Sequence, residues 1–285
     1  MYKGLSAVFV RMAMVLAIAV CSTASQAEIR LAILPRLSAV ELNKMFTPLA
    51  DYLSRETGER VTLVIPKDFD AFKNVVQSGQ ADLGFANSLV YVQLRKGTTL
   101  DPLVLAAEPK AGTRFRGVII ARTDSGIRNL NDLKGKRLIF VEKDSAGGHV
   151  FQMFLLSKAG IAPDRDFTRL PFAKKHDNVT MAVFNKAADA GGIREDDLPK
   201  MKDKVDLSKI QIVAYTDYFP NWPLFASPGL NKEKAKRVRE ALLKLKPGAA
   251  DSAQVVGPAK LTGFVAAADK DYDKLREAAK LAGVF

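Results

Sequence analysis

Between Glu28 and Ala86 the chain alternates two hydrophobic periods, and this alternation restricts it to very few folds. Glu28 to Leu34 carries Ile29, Leu31 and Ile33 at a spacing of two, which puts them on one side of a strand that Pro35 ends. Leu42, Met45, Phe46, Leu49, Tyr52 and Leu53 then recur at three and four, a helix face that Gly58 stops. A strand at Val61 to Ile65 follows, then a helix with Phe72, Val75 and Val76 on one face that ends near Gly79, then a short apolar strand, Ala81 to Ala86. Strand, helix, strand, helix, strand predicts a largely parallel sheet with helices on both faces, because parallel neighbours need crossover helices and those helices cover the sheet.

The middle of the chain repeats this grammar. Val118 to Ala121, Leu138 to Val141, Asp189 to Ile193 and Ile210 to Tyr215 read as strands; Asn129 to Gly135 reads as a helical turn, and Gly147 to Ala159 as a helix closed by Gly160. No Pro/Ser-rich linker separates the halves, so the expectation is two lobes that share the chain. The last two helices, Lys232 to Lys246 and Asp271 to Ala282, are expected to return to the first lobe.

The first 27 residues differ from the rest. Lys3 and Arg11 precede an apolar core, Met12 to Cys21, and then the small polar run Ser22 to Ala27, the order of a secretory signal with Ser25-Gln26-Ala27 as its cleavage site. The apolar stretch is too short for a membrane span, which takes about 20 residues. A lipoprotein anchor at Cys21 is the lesser alternative, since Val20 precedes it where a small residue is expected. Export to the periplasm follows. Cleavage removes the only cysteine, so the mature chain has to rest on a hydrophobic core without disulfides.

Lys and Arg number 43 against 31 Asp and Glu, a formal net charge of +12. The cations are scattered and interleaved with acids, which reads as a soluble surface and not as a nucleic-acid patch. No zinc-type or EF-hand spacing is present, so neither a metal nor a cofactor is expected.

In an open α/β sheet ligands bind beyond the carboxyl ends of the strands, where helix N-termini present free N–H groups. Those positions are Pro35 to Ser38, Asn87-Ser88, Ser145 to Gly148 and the loop around His176. Ser145, Ala146 and Gly147 can bring a hydroxyl and several amides onto an anion, although taken alone the segment reads better as an N-cap beside flexible glycines. Asn87 and Ser88 read equally as cap or ligand group. His176-Asp177 with Ser145 invites a hydrolase reading, but there is no Gly-x-Ser-x-Gly elbow, and a ligand-donating histidine fits better than a catalytic base. Arg114, Arg116 and Arg194 are guanidinium candidates for an oxyanion. Trp222, the sole tryptophan, either fills a core or walls a cleft.

Several runs taken together resemble the phosphate/phosphite/phosphonate-binding family of ABC-transporter solute-binding proteins. They are Pro48 to Leu53 with Gly58, Gly79 to Phe85 with Tyr91, Leu130 to Lys136, His176-Asp177 with Asp189-Ala190-Gly191, and Asp271-Tyr272-Asp273. The resemblance implies two Rossmann-like α/β lobes joined by paired crossover strands, the type 2 periplasmic binding protein architecture. Lobe one would run over residues 28–109 plus 226–285, and lobe two over 110–225 with a crossover strand at each end. It implies a monomeric, non-catalytic protein that captures a small oxyanion and hands it to a permease in the inner membrane, or presents it to a membrane sensor; a Ser/His hydrolase is the remaining alternative.

The ligand-binding residues it implies are Phe69, Asn87, Ser88, Phe115, Arg116, Ser145, Ala146, Gly147, His176, Arg194 and Trp222. Ser145-Ala146-Gly147 stands where the phosphonate binders have a Ser-Thr-Ser cluster. Phe69 and Phe115 stand at two tyrosine positions, Trp222 at an acidic one, and Asp196 near another. About four polar contacts are lost, each worth roughly 1 kcal/mol or more against a charged ligand. Poor binding of 2-aminoethylphosphonate is therefore expected, with preference for a more apolar or aromatic organic anion.

Overall fold

The computed structural model describes residues 28–285; the secretory-signal and Cys21 readings lie outside them. In chain order the first elements are β1 (Glu28–Ile33), α1 (Ala39–Thr57), β2 (Arg60–Val64), α2 (Phe69–Gln77), β3 (Leu83–Phe85), α3 (Ser88–Arg95), β4 (Asp101–Ala107), β5 (Arg114–Phe115), β6 (Gly117–Arg122) and β7 (Arg137–Ile139). A π-helical turn, Ala146–Val150, leads directly into α4 (Phe151–Lys158). Then come α5 (Pro163–Asp166), β8 (Thr168–Arg169), α6 (His176–Phe184), β9 (Ala190–Arg194), β10 (Ile210–Tyr215), β11 (Phe219–Pro220), β12 (Pro223–Ala226), α7 (Lys232–Lys244), α8 (Ala250–Val256), β13 (Gly263–Ala266) and α9 (Asp273–Leu281).

The strands form two separate sheets. The first has the order β13-β4-β12-β3-β1-β2, with β1 parallel to both β2 and β3, and β12 antiparallel to β3 and β4. The second has the order β10-β6-β9-β7-β8, with β7 parallel to β8 and β9, and β6 antiparallel to β9 and β10. A short antiparallel pair, β5 with β11, lies along the two chain passages between the sheets. The mixed direction of both sheets comes from strands that arrive by these passages and not through a crossover helix.

The period of two seen in β1 divides its side chains between two cores. Ile29, Leu31 and Ile33 pack with Leu42, Phe46, Leu49 and Leu53 of α1 and with Val238 and Leu242 of α7. Ala32 and Leu34 face the other way, toward Phe72 and Val76 of α2. α1 starts with a capping box, Ser38 with Glu41, and stops at Gly58, whose φ of 72° is reached without strain only by a residue lacking Cβ. In the second sheet Ile119, Ala121 and Leu138 pack under Met153 and Leu156, and Val118, Ile120 and Ile193 pack under Val179 and Val183.

The last helix touches elements beside both sheets. α9 packs against α3 beside the first sheet and against α4 beside the second. The joint is aromatic: Tyr91 and Tyr272 have centroids 4.7 Å apart, and Phe151 stacks on Phe219 at 3.9 Å. β4, β13, α3 and α8 were not legible, because Ala- and Pro-containing runs such as Asp101–Ala107 show neither period clearly. Among the described residues no helix is long and apolar enough to cross a membrane.

Candidate functional site

A cavity of about 930 Å³ opens where the carboxyl ends of the strands of both sheets meet. Its wall is assembled from loops that begin helices: Pro35 and Arg36 before α1, Asp68 to Asp70 at the start of α2, Asn87 before α3, Ser145 to Gly147 at the π-turn, and Lys175 to Asp177 at the start of α6. These helix starts are not equivalent. Ser38, Asp68 and Asn87 each cap their own helix, with the Asn87 side chain accepting from the Val90 amide at 2.8 Å. Ser145 makes no such bond, nor does Lys175 at the start of α6. The capping reading therefore holds for Asn87 and fails for Ser145.

The π-turn extends what this uncapped start offers. Its first helical bond runs from Val150 N–H to the Ser145 carbonyl at 3.0 Å, so the N–H groups of Ala146, Gly147, Gly148 and His149 all precede it. Two bonds fix the peptide planes from behind. Gln152 Nε2 donates to the Gly147 carbonyl at 2.8 Å, and the Val141 amide donates to the Gly148 carbonyl at 3.1 Å. In a trans peptide the N–H points opposite the C=O, so the amides are aimed toward the start of the turn, where the cavity lies. Glycine is required here by close approach. A Cβ on Gly148 would sit 2.4 Å from Val141 and 2.9 Å from both Ser145 Oγ and His176 Cε1; on Gly147 it would sit 3.1 Å from the Phe115 ring.

The same numbers bring Ser145 and His176 together on one glycine. His176 is nonetheless placed as a donor and not as a base. Its Nδ1 accepts from the Arg194 amide at 3.1 Å, which leaves the proton on Nε2, 3.7 Å from Asp197. Burial pushes its pKa below the ordinary histidine value, so the ring is neutral at pH 7.

Arg194 closes one side of the cleft. Its guanidinium contacts Glu108, which follows β4 of the first sheet; it also pairs with Asp196 at 3.1 Å and lies 4.4 Å over the Phe115 ring. One guanidinium thus faces two carboxylates, and Asp196 shares it with Glu108. Arg36 lies over the Trp222 ring at 5.2 Å, and no acid is within ion-pair reach of it among the described residues.

Phe69, Asn87, Phe115, Ser145, Ala146, Gly147, His176, Arg194 and Trp222 all line the cavity. Two candidates do not. Ser88 is fully buried as the first residue of α3, behind the Asn87 cap. Arg116, the residue between β5 and β6, is turned elsewhere: it forks onto Glu195 at 2.6 and 2.7 Å between Tyr215 and Tyr218. Arg114 also turns away, donating to the Tyr218 carbonyl. Arg36, Glu108 and Gln152 were not singled out from the sequence. Arg36 falls in a loop that the strand-end rule marks, and Gln152 is a polar residue on an otherwise apolar helix face; the Glu108 contact depends on tertiary structure alone. Among the described residues no group of three His, Cys, Asp or Glu is placed to hold a metal ion.

The family model for the phosphonate periplasmic substrate-binding protein of ABC transporters matches residues 31–272. A tetrathionate sensor histidine kinase of Salmonella typhimurium is 26% identical over 211 residues, 68% of this chain and 36% of that protein. A phosphate-import protein of Mycolicibacterium smegmatis is 28% identical over 194 residues, 65% of this chain and 60% of that protein. The matched stretch thus spans less than two thirds of either relative. The structure of a Prochlorococcus marinus protein in complex with methylphosphonate superposes with a TM-score of 0.73 at 19% identity, covering 91% of this chain and 100% of that one. The fold is that of the type 2 periplasmic binding proteins, and by a family match that runs through nearly all the described residues the chain belongs to the phosphonate periplasmic substrate-binding proteins of ABC transporters.

Proposed function

We propose that this protein is the periplasmic, monomeric binding component of an ABC importer, and that it captures an organic oxyanion of the phosphonate class between two lobes, residues 28–109 with 226–285 and residues 110–225. The observation that carries this reading is the uncapped Ser145–Gly148 turn, whose amides meet a neutral histidine in a large cavity walled by Phe69, Phe115 and Trp222. Backbone donors backed by a helix dipole bind anions without contributing a titratable group. The methylphosphonate complex of the Prochlorococcus protein supports the ligand class. With Trp222 at an acidic position of the family pocket, 2-aminoethylphosphonate binds poorly.

Calorimetric titration with methylphosphonate, phenylphosphonate and 2-aminoethylphosphonate tests this. The aromatic phosphonate is expected to bind best, and submicromolar binding of 2-aminoethylphosphonate overturns the ligand assignment. The role is not catalytic in this reading, since His176 has no free lone pair to accept the Ser145 proton. Ser145→Ala lowers affinity without removing any turnover.

The kinship with a sensor histidine kinase favours a second reading, in which the loaded form is presented to a membrane sensor. Deleting the gene separates the two. Loss of uptake of the ligand supports import, and loss of a transcriptional response with uptake intact supports sensing.

A further inference from the structure

We infer that the ligand has two anionic groups, one seated on the Ser145–Gly148 turn and the second paired with Arg36 over the Trp222 ring, which makes Arg36 a specificity-determining residue; the inference rests on the oxyanion-binding reading above.

Four observations lead here. Arg36 belongs to the loop that ends β1 of the first sheet, whereas the turn belongs to the second, so they approach the cavity from different sheets. The acids whose charges reach Arg36 each have another cation at hand: Glu108 has Arg194, and Asp197 has Lys200. Lys67 and Lys174, also on the cavity wall, lie near Asp68 and Glu142, at 4.0 and 3.7 Å. Among the described residues Lys143 and Lys175 have no ion pair either; like Arg36 they are exposed, but they stack on no ring, whereas the guanidinium of Arg36 lies over Trp222.

A fixed cation without a counter-ion in a protein-walled cleft concentrates anions there. A guanidinium resting on an aromatic face still has its edge N–H groups free, and those fork onto a carboxylate, sulfonate or phosphonate. Volume agrees. About 930 Å³ is near the top of the range filled by drug-sized ligands, so a lone oxyanion on the turn leaves the Arg36 end of the cavity empty.

The test compares alkylphosphonates of two to four carbons with the ω-phosphonocarboxylates of equal spacer, from 3-phosphonopropionate upward, by calorimetry on the wild-type chain and on Arg36→Gln. At the best spacer the wild type is expected to prefer the doubly anionic ligand by roughly tenfold or more, the size of one charge-assisted hydrogen bond. Arg36→Gln is expected to bring that ratio to about one, on top of whatever weakening the lost charge brings to both series alike. No preference at any spacer in the wild type, or a preference that survives in Arg36→Gln, overturns the proposal and leaves the turn reading standing. Failure of every phosphonate to bind the wild type overturns both. Equal weakening of both ligand series in Arg36→Gln, with the ratio kept, assigns Arg36 to general electrostatics and also overturns it.

Discussion

The Arg194 main-chain amide donates to Nδ1 of His176 at 3.1 Å, and this bond decides what the histidine is able to do. The second histidine is in the opposite state: His149 Nδ1 meets the Lys143 carbonyl at 2.9 Å, so that nitrogen carries the proton, and Nε2 is buried without a partner among the described residues. Long-range ¹H–¹⁵N correlation spectra should therefore show two neutral rings of different tautomer at pH 7, Nε2–H for His176 and Nδ1–H for His149. A His176 ring protonated on Nδ1 would falsify the donor role.

Burial lowers the pKa of both rings from the ordinary value near 6.5. The sign follows from linkage: above about pH 6.5 neither the folded nor the unfolded chain protonates them, and the stability they contribute is fully present. As pH falls below that value the unfolded chain takes up protons that the folded one refuses, and stability is lost toward the lower folded values. Melting temperature should decline between about pH 6.5 and pH 5, and His149→Gln should flatten the decline. An unchanged slope in that variant would remove His149 from the explanation.

Gly148→Ala tests the close approach at the turn. Its methyl meets Val141 from within the core, so the cost is that of overpacking, about 1–3 kcal/mol. Chemical denaturation reads this directly, and a variant as stable as wild type would mean that the turn is looser than described.

Gln152 is buried, and its amide donates toward the carbonyls of Gly147, Val118 and Ile193 at 2.8, 3.1 and 3.1 Å. Gln152→Leu keeps the bulk and leaves those carbonyls short of a donor, at a cost of about 1–3 kcal/mol. Since the Gly147 peptide loses its tether, anion affinity should fall as well. Stability lost with affinity intact would separate the tether from the site.

Much of this was legible in the residues, and the gaps have identifiable causes. The periods in β1 and α1 specified the first sheet and both of its faces, because burial on a strand or helix leaves a repeat that can be counted. The strand-end rule found the Ser145 and His176 loops from local order alone. It did not separate Asn87, which caps its helix, from Ser145, which does not, since that difference lies in the π-turn that displaces the Ser145 side chain from its amides. Nor did it reveal that Arg116 turns onto Glu195 and not into the cavity, because Arg116 falls in the gap between β5 and β6, where no period applies.

Arg194 shares its charge with Glu108 and Asp196. Glu108→Gln removes one negative charge at the edge of the cavity, and a more positive cleft should bind phosphonate several-fold more tightly at low ionic strength, where screening is weak. The gain should fade as salt approaches 1 M, where the Debye length is about 3 Å. Tighter binding that ignores salt would point to a change of shape.

Trp222 is the sole tryptophan and lines the cleft, so its emission reports occupancy without a label. The most direct measurement is a fluorescence titration with phenylphosphonate on the wild-type chain and on Gly148→Ala, each with its circular dichroism recorded. A saturable change in the wild type, lost or shifted at least tenfold in the folded variant, is the predicted result. Saturation at the same midpoint in both would place the anion somewhere other than the Ser145–Gly148 turn.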